Sequence, residues 1–295
     1  MATNPIGLRS SDGAPAKREQ RVHVHGMWAS VASAWGDHAG YADERGAALT
    51  EVLLDRAAIR PGERVLELAC GPGGAGLSAA ARVAPNGEVV LSDVVAEMTA
   101  IAAQRAAARE ITNVRTLVLD LEEIHQPDAS YDVVICREGL MFAVDPARAV
   151  EEIRRVLRPR GRLSVAVWGP RADNPWLGVV FDAVSALVGR PVPPPGVPEP
   201  FSLGDRAQLA QLLRAAEFAD VEVTEHATPL RAGSFDEWWG RTSSLAGPLA
   251  AILAMLPQES LDALQTRLAA AVEEYTTADG VELPGLSLVA SARRT

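Results

Sequence analysis

Apolar and polar positions alternate along the chain in blocks that switch repeatedly between helical and strand spacing. Apolar residues recur at helical spacing over 49–59, and Pro61-Gly62 ends this helix. A strand at 64–69 then runs through a glycine-rich loop into an alanine-rich helix that ends near Val83. The pattern continues with strands at 88–93, 114–119, 131–136 and 161–168 and helices at 96–109 and 146–157. Parallel strands need crossovers, and helical crossovers cover both faces of a sheet, so this order predicts an α/β fold with a doubly wound, mostly parallel sheet.

The pattern changes in the second half of the chain. Helical spacing over 175–189 leads into a proline-rich run at 191–198, which lacks backbone donors and favours an extended linker or lid. The remaining predicted elements are a helix at 205–217, a strand at 220–229, a helical insertion at 235–276 and a short strand at 286–292. We expect the two strands to extend the sheet and the insertion to cap it.

Composition narrows the class of protein. With 48% hydrophobic and 22% charged residues, the 295-residue chain has the balance of a folded globular protein. Lys17 is the only lysine, which excludes pyridoxal enzymes and Walker-type NTPases because both need a lysine in the folded core. The formal charge of -10 repels phosphate backbones, so we expect no nucleic-acid partner.

Cysteine usage and apolar run lengths bear on location. Cys70 and Cys136 are too few for a disulfide framework, and both end apolar runs typical of buried strands. The first twenty residues contain no apolar segment of signal-peptide length, and no run of about 18 apolar residues occurs. The sequence therefore predicts a cytoplasmic protein that does not associate with membranes.

The loop after the first predicted strand carries glycines at nucleotide-site spacing. Gly71 to Gly76 satisfies G-x-G-x-x-G, which lets the backbone turn sharply and approach a ligand. Asp93 lies 22 residues beyond Gly71, at the end of the second strand, where a carboxylate can accept from both ribose hydroxyls. These two features suit NAD and S-adenosylmethionine equally.

Three further positions favour S-adenosylmethionine. Glu67, within the first strand, would place a buried negative charge near a pyrophosphate but suits a sulfonium with an ammonium group. Asp120 and Leu121 close the third strand, where a carboxylate can accept from the adenine amino group and the next N–H can meet a ring nitrogen. Val94 and Met98 either flank the adenine or belong to the core.

Five ordered motifs extend this pattern. They are VLELACGPG at 65–73, LSD at 91–93, LDL at 119–121, YDVVICR at 131–137 and RVLRPRGRL at 155–163. Over roughly residues 45 to 170 the chain resembles class I S-adenosylmethionine-dependent methyltransferases, and most of all their ubiquinone/menaquinone-biosynthesis-like branch. The resemblance implies a seven-stranded Rossmann-like sheet whose last strand is antiparallel.

The resemblance also implies roles for single residues. Gly71 and Gly73 would run alongside the methionine part of S-adenosylmethionine, and the backbone near Arg137 would contact the methionine amino group. Asp93 would bind ribose and Asp120 adenine. The expected cofactor-binding residues are Glu67, Ala69, Gly71, Gly73, Asp93, Val94, Met98, Asp120, Leu121 and Arg137, with no metal. Ala69 and Pro72 depart from the family pattern, which has glycine and a small polar residue more often at these places.

Methyl transfer from a sulfonium is an in-line displacement that mainly needs alignment and exclusion of water, so a general base is optional. Candidate bases are His25, His38 and Glu138. Glu138 follows the fourth strand, which neighbours the first in this topology, and its alternative interpretation is a loop carboxylate paired with Arg137 or with solvent. We take Glu138 and His25 as the candidate catalytic residues.

Aromatic residues concentrate outside the predicted strands and favour a hydrophobic or aromatic acceptor. They are Trp28, Trp35, Tyr41, Phe142, Trp168, Trp176, Phe181, Trp238 and Trp239. Trp168 and Phe181 suit contacts between cap and sheet, whereas the adjacent Trp238 and Trp239 cannot share one helix face, so at least one should face the pocket or a partner. The alternatives to a methyltransferase are a nicotinamide-dependent reductase, which would lack the Tyr-x-x-x-Lys pair, and a non-catalytic S-adenosylmethionine-binding module.

These expectations divide the chain into four parts. They are a flexible N-terminal tail at 1–20, an N-terminal helical arm at 21–48, a cofactor-binding Rossmann-like core at 49–170, and, at 171–295, the rest of the sheet with the Pro-rich lid linker and an inserted helical cap for substrate. The expected partner is a hydrophobic small molecule. Apolar residues of the cap could instead form a homodimer contact.

Overall fold

The computed structural model describes residues 13–295, and it describes their side chains except at 13–15 and Pro248. The strands are β1 (Arg64–Glu67), β2 (Glu88–Asp93), β3 (Val114–Val118), β4 (Tyr131–Arg137), β5 (Leu157–Trp168), β6 (Phe218–Ala227), β7 (Leu230–Ala232), β8 (Thr276–Thr277), β9 (Gly280–Leu283) and β10 (Leu286–Arg294). The helices are α1 (Gly13–Ser30), α2 (Ala32–Asp37), α3 (Ala39–Arg56), α4 (Gly74–Val83), α5 (Ala96–Ala108), α6 (Pro146–Val156), α7 (Pro175–Val188), α8 (Arg206–Ala215), α9 (Phe235–Leu245), α10 (Gly247–Leu253) and α11 (Gln258–Val272).

Seven strands form one sheet in the order β3-β2-β1-β4-β5-β10-β6. β1 pairs in parallel with β2 on one side and with β4 on the other, and β10 is antiparallel to both β5 and β6. The predicted fold class is confirmed. Strand order reverses at β1, so the carboxyl ends of β1 and β4 border the crevice in which open α/β sheets bind ligands.

Both faces of the sheet are buried, as the apolar strands predicted. Along β1, Val65 and Leu66 are fully buried and belong to different apolar clusters on opposite faces. Because side chains alternate along a strand, Glu67 shares the face of Val65, on which α4 packs. A carboxylate is thereby placed under the helix that follows the glycine loop. Cys70 and Cys136 are buried free thiols.

The N-terminal segment differs from the sequence expectation. Helix α1 begins at Gly13, so the flexible tail expected over 1–20 is wrong for residues 13–20, while residues 1–12 lie outside the described residues. Two contacts hold this part of α1: Lys17 Nζ donates to Asp145 Oδ2 at 2.6 Å, and Gln20 donates to the Gly196 carbonyl. Helices α1 and α2 pack over the carboxyl edge of the sheet through α5, α9 and α10.

Other element boundaries shift for identifiable reasons. Helix α3 begins at Ala39 instead of residue 49, since the alanines and glutamate of 39–48 favour helix although its apolar stripe is weak. Helices α9 to α11 occupy the segment predicted to be a helical insertion. Strands β7 to β9 form a small separate sheet that sequence analysis missed, because strands of two to four residues show no period-two pattern. Over the described residues, no helix combines the length and apolarity that crossing a bilayer requires.

Candidate active site

A cleft of about 1050 Å³, part of it open to solvent, lies at the carboxyl ends of β1, β2, β3 and β4. Of the expected cofactor-binding residues, it is lined by Glu67, Ala69, Gly71, Asp93, Val94, Met98, Asp120, Leu121 and Arg137. Both candidate catalytic residues, Glu138 and His25, line it as well. The structure thus brings together residues from four strand ends, as the topology predicts, whereas Gly73 and His38 do not line the cleft.

The two leading glycines of the loop serve different purposes. Gly71 has φ of +51°, and the space around its Cβ position is empty, so its backbone is open to a ligand. Gly73 has φ of +86°, and a Cβ there would lie 3.0 Å from Ala102 Cβ and 3.1 Å from Leu91 Cδ1. The expected contact of Gly73 with the methionine part stays a prediction, since in this structure Gly73 packs against α5 and begins α4.

A charged network outside the cleft holds the same loop in place. Arg105 on α5 donates to the Pro72 carbonyl at 2.5 Å and to Asp43 on α3. Arg109 donates to Asp43 at 2.9 Å. The loop is therefore tied to two helices, which sequence analysis missed because these residues are more than thirty positions apart in the chain.

Asp93 is buried, with 8% of its surface exposed, and it organises the turn beside it. The Gly71 N–H donates to Asp93 Oδ2 at 2.9 Å, and the Val95 N–H donates to Oδ1 at 3.0 Å. Desolvation raises the pKa of Asp93, and the backbone hydrogen bonds oppose that shift. Each carboxylate oxygen keeps a second lone pair, so both can still accept from a ligand in the cleft.

Asp120 lies two residues beyond β3, beside Asp93 along the sheet edge. The Glu122 N–H donates to Asp120 Oδ1 at 2.8 Å, while Arg21 Nη1 on α1 lies 3.5 Å from Oδ2. The arm helix therefore contacts the carboxylate expected to bind adenine. Arg21, Val24, His25 and Trp28 line the cleft from one face of α1, and their helical spacing of three and four is the sequence signal that could have revealed this face.

Glu67 is 2% exposed and lies beneath the first turn of α4. The Gly76 N–H donates to its Oε2 at 2.9 Å, and a Cβ on Gly76 would lie 2.4 Å from that atom, so only glycine allows the approach. Burial raises the pKa of Glu67 to about 8, and the Arg137 guanidinium and the Gly76 hydrogen bond partly offset this. Arg137 in turn donates to Thr50 Oγ1 on α3 at 2.7 Å.

The raised pKa of Glu67 predicts a pH-dependent stability. Between pH 4.5 and about 8 the folded chain holds a proton at Glu67 that the unfolded chain has released, so stability falls as pH rises through this window. The loss amounts to at most about 1.4 kcal/mol per pH unit. We expect Glu67→Gln to remove this dependence, measured as the free energy of urea unfolding from pH 5 to 9. The exposed Glu225→Gln serves as control, and parallel pH curves for the wild type and Glu67→Gln would contradict the assignment.

Glu138 follows β4 with φ of +59°, a left-handed conformation that non-glycine residues seldom adopt. The charged neighbour of its side chain is Arg45 on α3, not the adjacent Arg137: Arg45 Nη2 lies 3.6 Å from Glu138 Oε1. Both side chains are largely buried. Ala69 has φ of +48°, and a Cβ on Gly139 would lie 2.3 Å from the Ala69 Cβ. The departure at Ala69 is therefore accommodated by the missing side chain at Gly139.

A second cavity of about 690 Å³, which we call the aromatic cavity, adjoins the cleft. The two share Trp28, Trp35, Glu138 and Phe142, and Glu138 is the only carboxylate common to both among the described residues. Seven aromatic residues line the aromatic cavity, which are Trp28, Trp35, Tyr41, Phe142, Trp168, Trp176 and Phe181. Trp238 and Trp239 are both buried in the main core and line neither cavity, so the expectation that one of them faces the pocket or a partner is wrong.

Charge distinguishes the two ligands that the glycine spacing permits. Apart from His25 and the buried Cys70 thiol, the titratable residues of the cleft are the carboxylates Asp93, Asp120, Glu122 and Glu138, the arginines Arg21 and Arg137, and Glu67, which holds its proton below about pH 8. An excess of carboxylates attracts a cation and repels a diphosphate. The cleft therefore fits the sulfonium and ammonium groups of S-adenosylmethionine and does not fit a dinucleotide.

Comparison with known proteins agrees with this site. Residues 59–175 match the family described as a methyltransferase domain. The ubiquinone/menaquinone biosynthesis C-methyltransferase UbiE of Ralstonia nicotianae is 31% identical over 201 residues, which cover 63% of this chain and 81% of that protein. UbiE of Ectopseudomonas mendocina is 35% identical over 133 residues, 45% of this chain and 52% of that protein, so the chain spans about half the length of that relative.

Solved structures show the same fold at low identity. The YcgJ protein of Bacillus subtilis has a TM-score of 0.59 and 19% identity, covering 83% of this chain and 97% of that protein. Phosphoethanolamine N-methyltransferase 2 of Haemonchus contortus, solved with S-adenosyl-L-methionine, has a TM-score of 0.54 and 19% identity, covering 84% of this chain and 52% of that protein. With these matches the predicted resemblance is confirmed: the chain belongs to the UbiE-like class I methyltransferases, whose cofactor is S-adenosylmethionine.

Proposed function

We propose that the chain transfers the methyl group of S-adenosylmethionine to an apolar, aromatic small molecule held in the aromatic cavity. The observation that carries the proposal is the junction of the two cavities at Glu138, Trp28 and Phe142. A donor in the cleft and an acceptor in the aromatic cavity would meet there. Such alignment contributes about 7–11 kcal/mol to lowering the barrier in well-oriented reactions.

In this proposal, different residues of the cleft bind different parts of S-adenosylmethionine. Asp93 accepts from the ribose hydroxyls and Asp120 from the adenine amino group, while Val94 and Met98 flank the ring. Glu67 and the open backbone of Gly71 lie on the methionine side. When bound, S-adenosylmethionine supplies an electrophilic methyl group on a positively charged sulfur. The aromatic wall excludes water from the acceptor.

Glu138 is the base in this proposal, taking the proton that the acceptor loses. It lies where the cavities meet, and Arg45 orients its carboxylate. His25 lines only the cleft and its charge acts on Asp93, so in this proposal it lies at the ribose end, away from the acceptor. The curated relatives are named as ubiquinone/menaquinone biosynthesis C-methyltransferases, which favours a carbon atom of a quinone precursor over an oxygen or nitrogen as acceptor.

The two alternative functions account for less of the structure. A nicotinamide-dependent reductase would place a diphosphate beside the carboxylates Asp93, Asp120, Glu122 and Glu138 of the cleft. A non-catalytic binding module has no use for a second cavity that opens onto the methyl-donor side. Catalysis accounts for both cavities.

Ligand-induced stabilisation tests the proposal. We expect S-adenosylmethionine and S-adenosylhomocysteine at 100 times their Kd to add about 2.7 kcal/mol of stability, which raises Tm by on the order of 5 °C. NADH should leave Tm unchanged. Stabilisation by NADH alone would overturn the assignment. Transfer of radiolabel from S-adenosylmethionine to quinone precursors and other aromatic acceptors then tests the reaction itself.

A further inference from the structure

One end of the aromatic cavity is polar. Tyr41 and Arg45 reach it from α3, and Arg241 and Thr242 reach it from α9. Tyr41 and Arg45 are four residues apart and therefore share one helix face. We call these four side chains the polar end; they lie in a cavity whose other walls are largely aromatic.

Three polar atoms of this end are buried without a hydrogen-bond partner in the described part of the chain: Tyr41 Oη, Arg45 Nε and Thr242 Oγ1. Thr242 is only 5% exposed. Buried polar atoms in proteins are nearly always paired, so three unpaired ones at one end of a cavity need an explanation. A fourth unpaired atom, the acceptor Glu138 Oε1, lies apart from them where the aromatic cavity meets the cleft. All three can donate a proton, so a ligand that satisfies them must present acceptor oxygens.

Both charged side chains of the polar end are arginines. The Arg241 guanidinium carbon lies 4.1 Å from the centre of the Tyr41 ring, and that of Arg45 lies 4.5 Å from the Trp168 ring centre. Stacking against a ring leaves the N–H edges of a guanidinium free for hydrogen bonds. Burial raises the pKa of Tyr41, and the charge of Glu237 adds to this shift, while the charges of Arg45 and Arg241 oppose it.

Each arginine also has a carboxylate neighbour. Arg241 pairs with Glu237, which is partly exposed at the outer side of α9. Arg45 lies 3.6 Å from Glu138 on the side of the cleft. Neither carboxylate makes a hydrogen bond to the three unpaired atoms, so an occupant of the cavity is left to supply the acceptors that these atoms lack.

We propose that the acceptor is a flat aromatic acid whose carboxylate binds at Tyr41, Arg45, Arg241 and Thr242, while its ring lies against the aromatic wall. This inference rests on the proposed function and specifies its substrate class. The two oxygens of a carboxylate offer about four lone pairs, enough for the unpaired donors on both helices. A neutral analogue of the same shape leaves donors unpaired and binds more weakly.

Calorimetry with a matched pair of probes tests this class. The full chain is titrated with 1-naphthoate and with 1-naphthamide, an uncharged analogue of nearly the same shape, in the presence and in the absence of S-adenosylhomocysteine. We expect 1-naphthoate to bind at least tenfold more tightly. Tyr41→Phe and Thr242→Val remove only hydroxyls that lack partners, so both variants should fold, and each should lose about fivefold or more of the 1-naphthoate affinity with little effect on 1-naphthamide.

Arg241→Gln should lower 1-naphthoate affinity in the same selective way. Its control is Arg231→Gln on β7, which removes the same charge from an exposed ion pair with Glu282 outside both cavities. Equal affinity for the two probes, or no binding of 1-naphthoate, overturns the inference. Binding of S-adenosylhomocysteine is scored separately: if it is retained, only the substrate class fails, and if it is absent, the proposed function fails.

Discussion

Replacing Asp93 with alanine weakens S-adenosylmethionine binding by about 100-fold or more while the chain stays folded. Asp93 closes β2 and is expected to accept from both ribose hydroxyls. Charge-assisted hydrogen bonds contribute about 1.5–3 kcal/mol each, so two of them correspond to a loss of about 100-fold or more in affinity. Isothermal titration calorimetry measures the affinity, and circular dichroism confirms the fold.

The control for this variant must also lose a backbone acceptor, because the Asp93 carboxylate accepts from the Gly71 and Val95 N–H groups. Asp205→Ala meets that condition: Asp205 accepts from the Gln208 N–H at the start of α8, away from the cleft. We expect it to cost some stability and to leave cofactor affinity unchanged. An Asp93→Ala chain with wild-type affinity would refute the ribose assignment.

Glu138→Gln lowers kcat by about 10²- to 10⁴-fold, the usual contribution of a general base. Glutamine keeps the size of the side chain and its place beside Arg45 but cannot take a proton. The Kd for S-adenosylmethionine and the KM for the acceptor should stay within about twofold, since the variant removes an interaction of the transition state. Steady-state rates with an acceptor that the wild type methylates measure the effect.

Two further readouts separate catalysis from structure at this position. The melting temperature of Glu138→Gln should match that of the wild type, whereas a structural role would lower it. Glu225→Gln, an exposed change of the same kind on β6, should match the wild type throughout. An unchanged kcat in Glu138→Gln would show that alignment alone carries the reaction and that no base is used.

The sequence predicted the parts of the site that strand topology determines. Glu67, Asp93 and Arg137 end three neighbouring strands, so locating those strands was enough to bring the residues together. It did not predict the partners that long-range packing supplies. Arg45, beside Glu138, comes from α3, and Arg21, beside Asp120, comes from α1. Periodicity predicts which face of a helix is apolar, but it does not predict the part of the fold against which that face packs.

Ala69 and Gly139 show a similar limit at short range. The sequence showed that position 69 departs from the family pattern. The compensation lies seventy residues away, where the absence of a side chain at Gly139 makes room for the Ala69 Cβ. A close contact between two loops leaves no periodic signal in either of them.

The aromatic residues that line both cavities come from two parts of the chain. Trp28 and Trp35 come from the N-terminal helices, and the Trp28 ring lies 4.8 Å from that of Phe142, which follows the fourth strand. The glycine loop and the carboxylates at the strand ends do not line the aromatic cavity, with the exception of Glu138. Changes at Trp28 or Trp35 therefore alter the cleft as well as the aromatic cavity, whereas changes at Trp176, Phe181 or Arg241, which line the aromatic cavity alone, can diversify acceptor choice with the methyl-donor site unchanged.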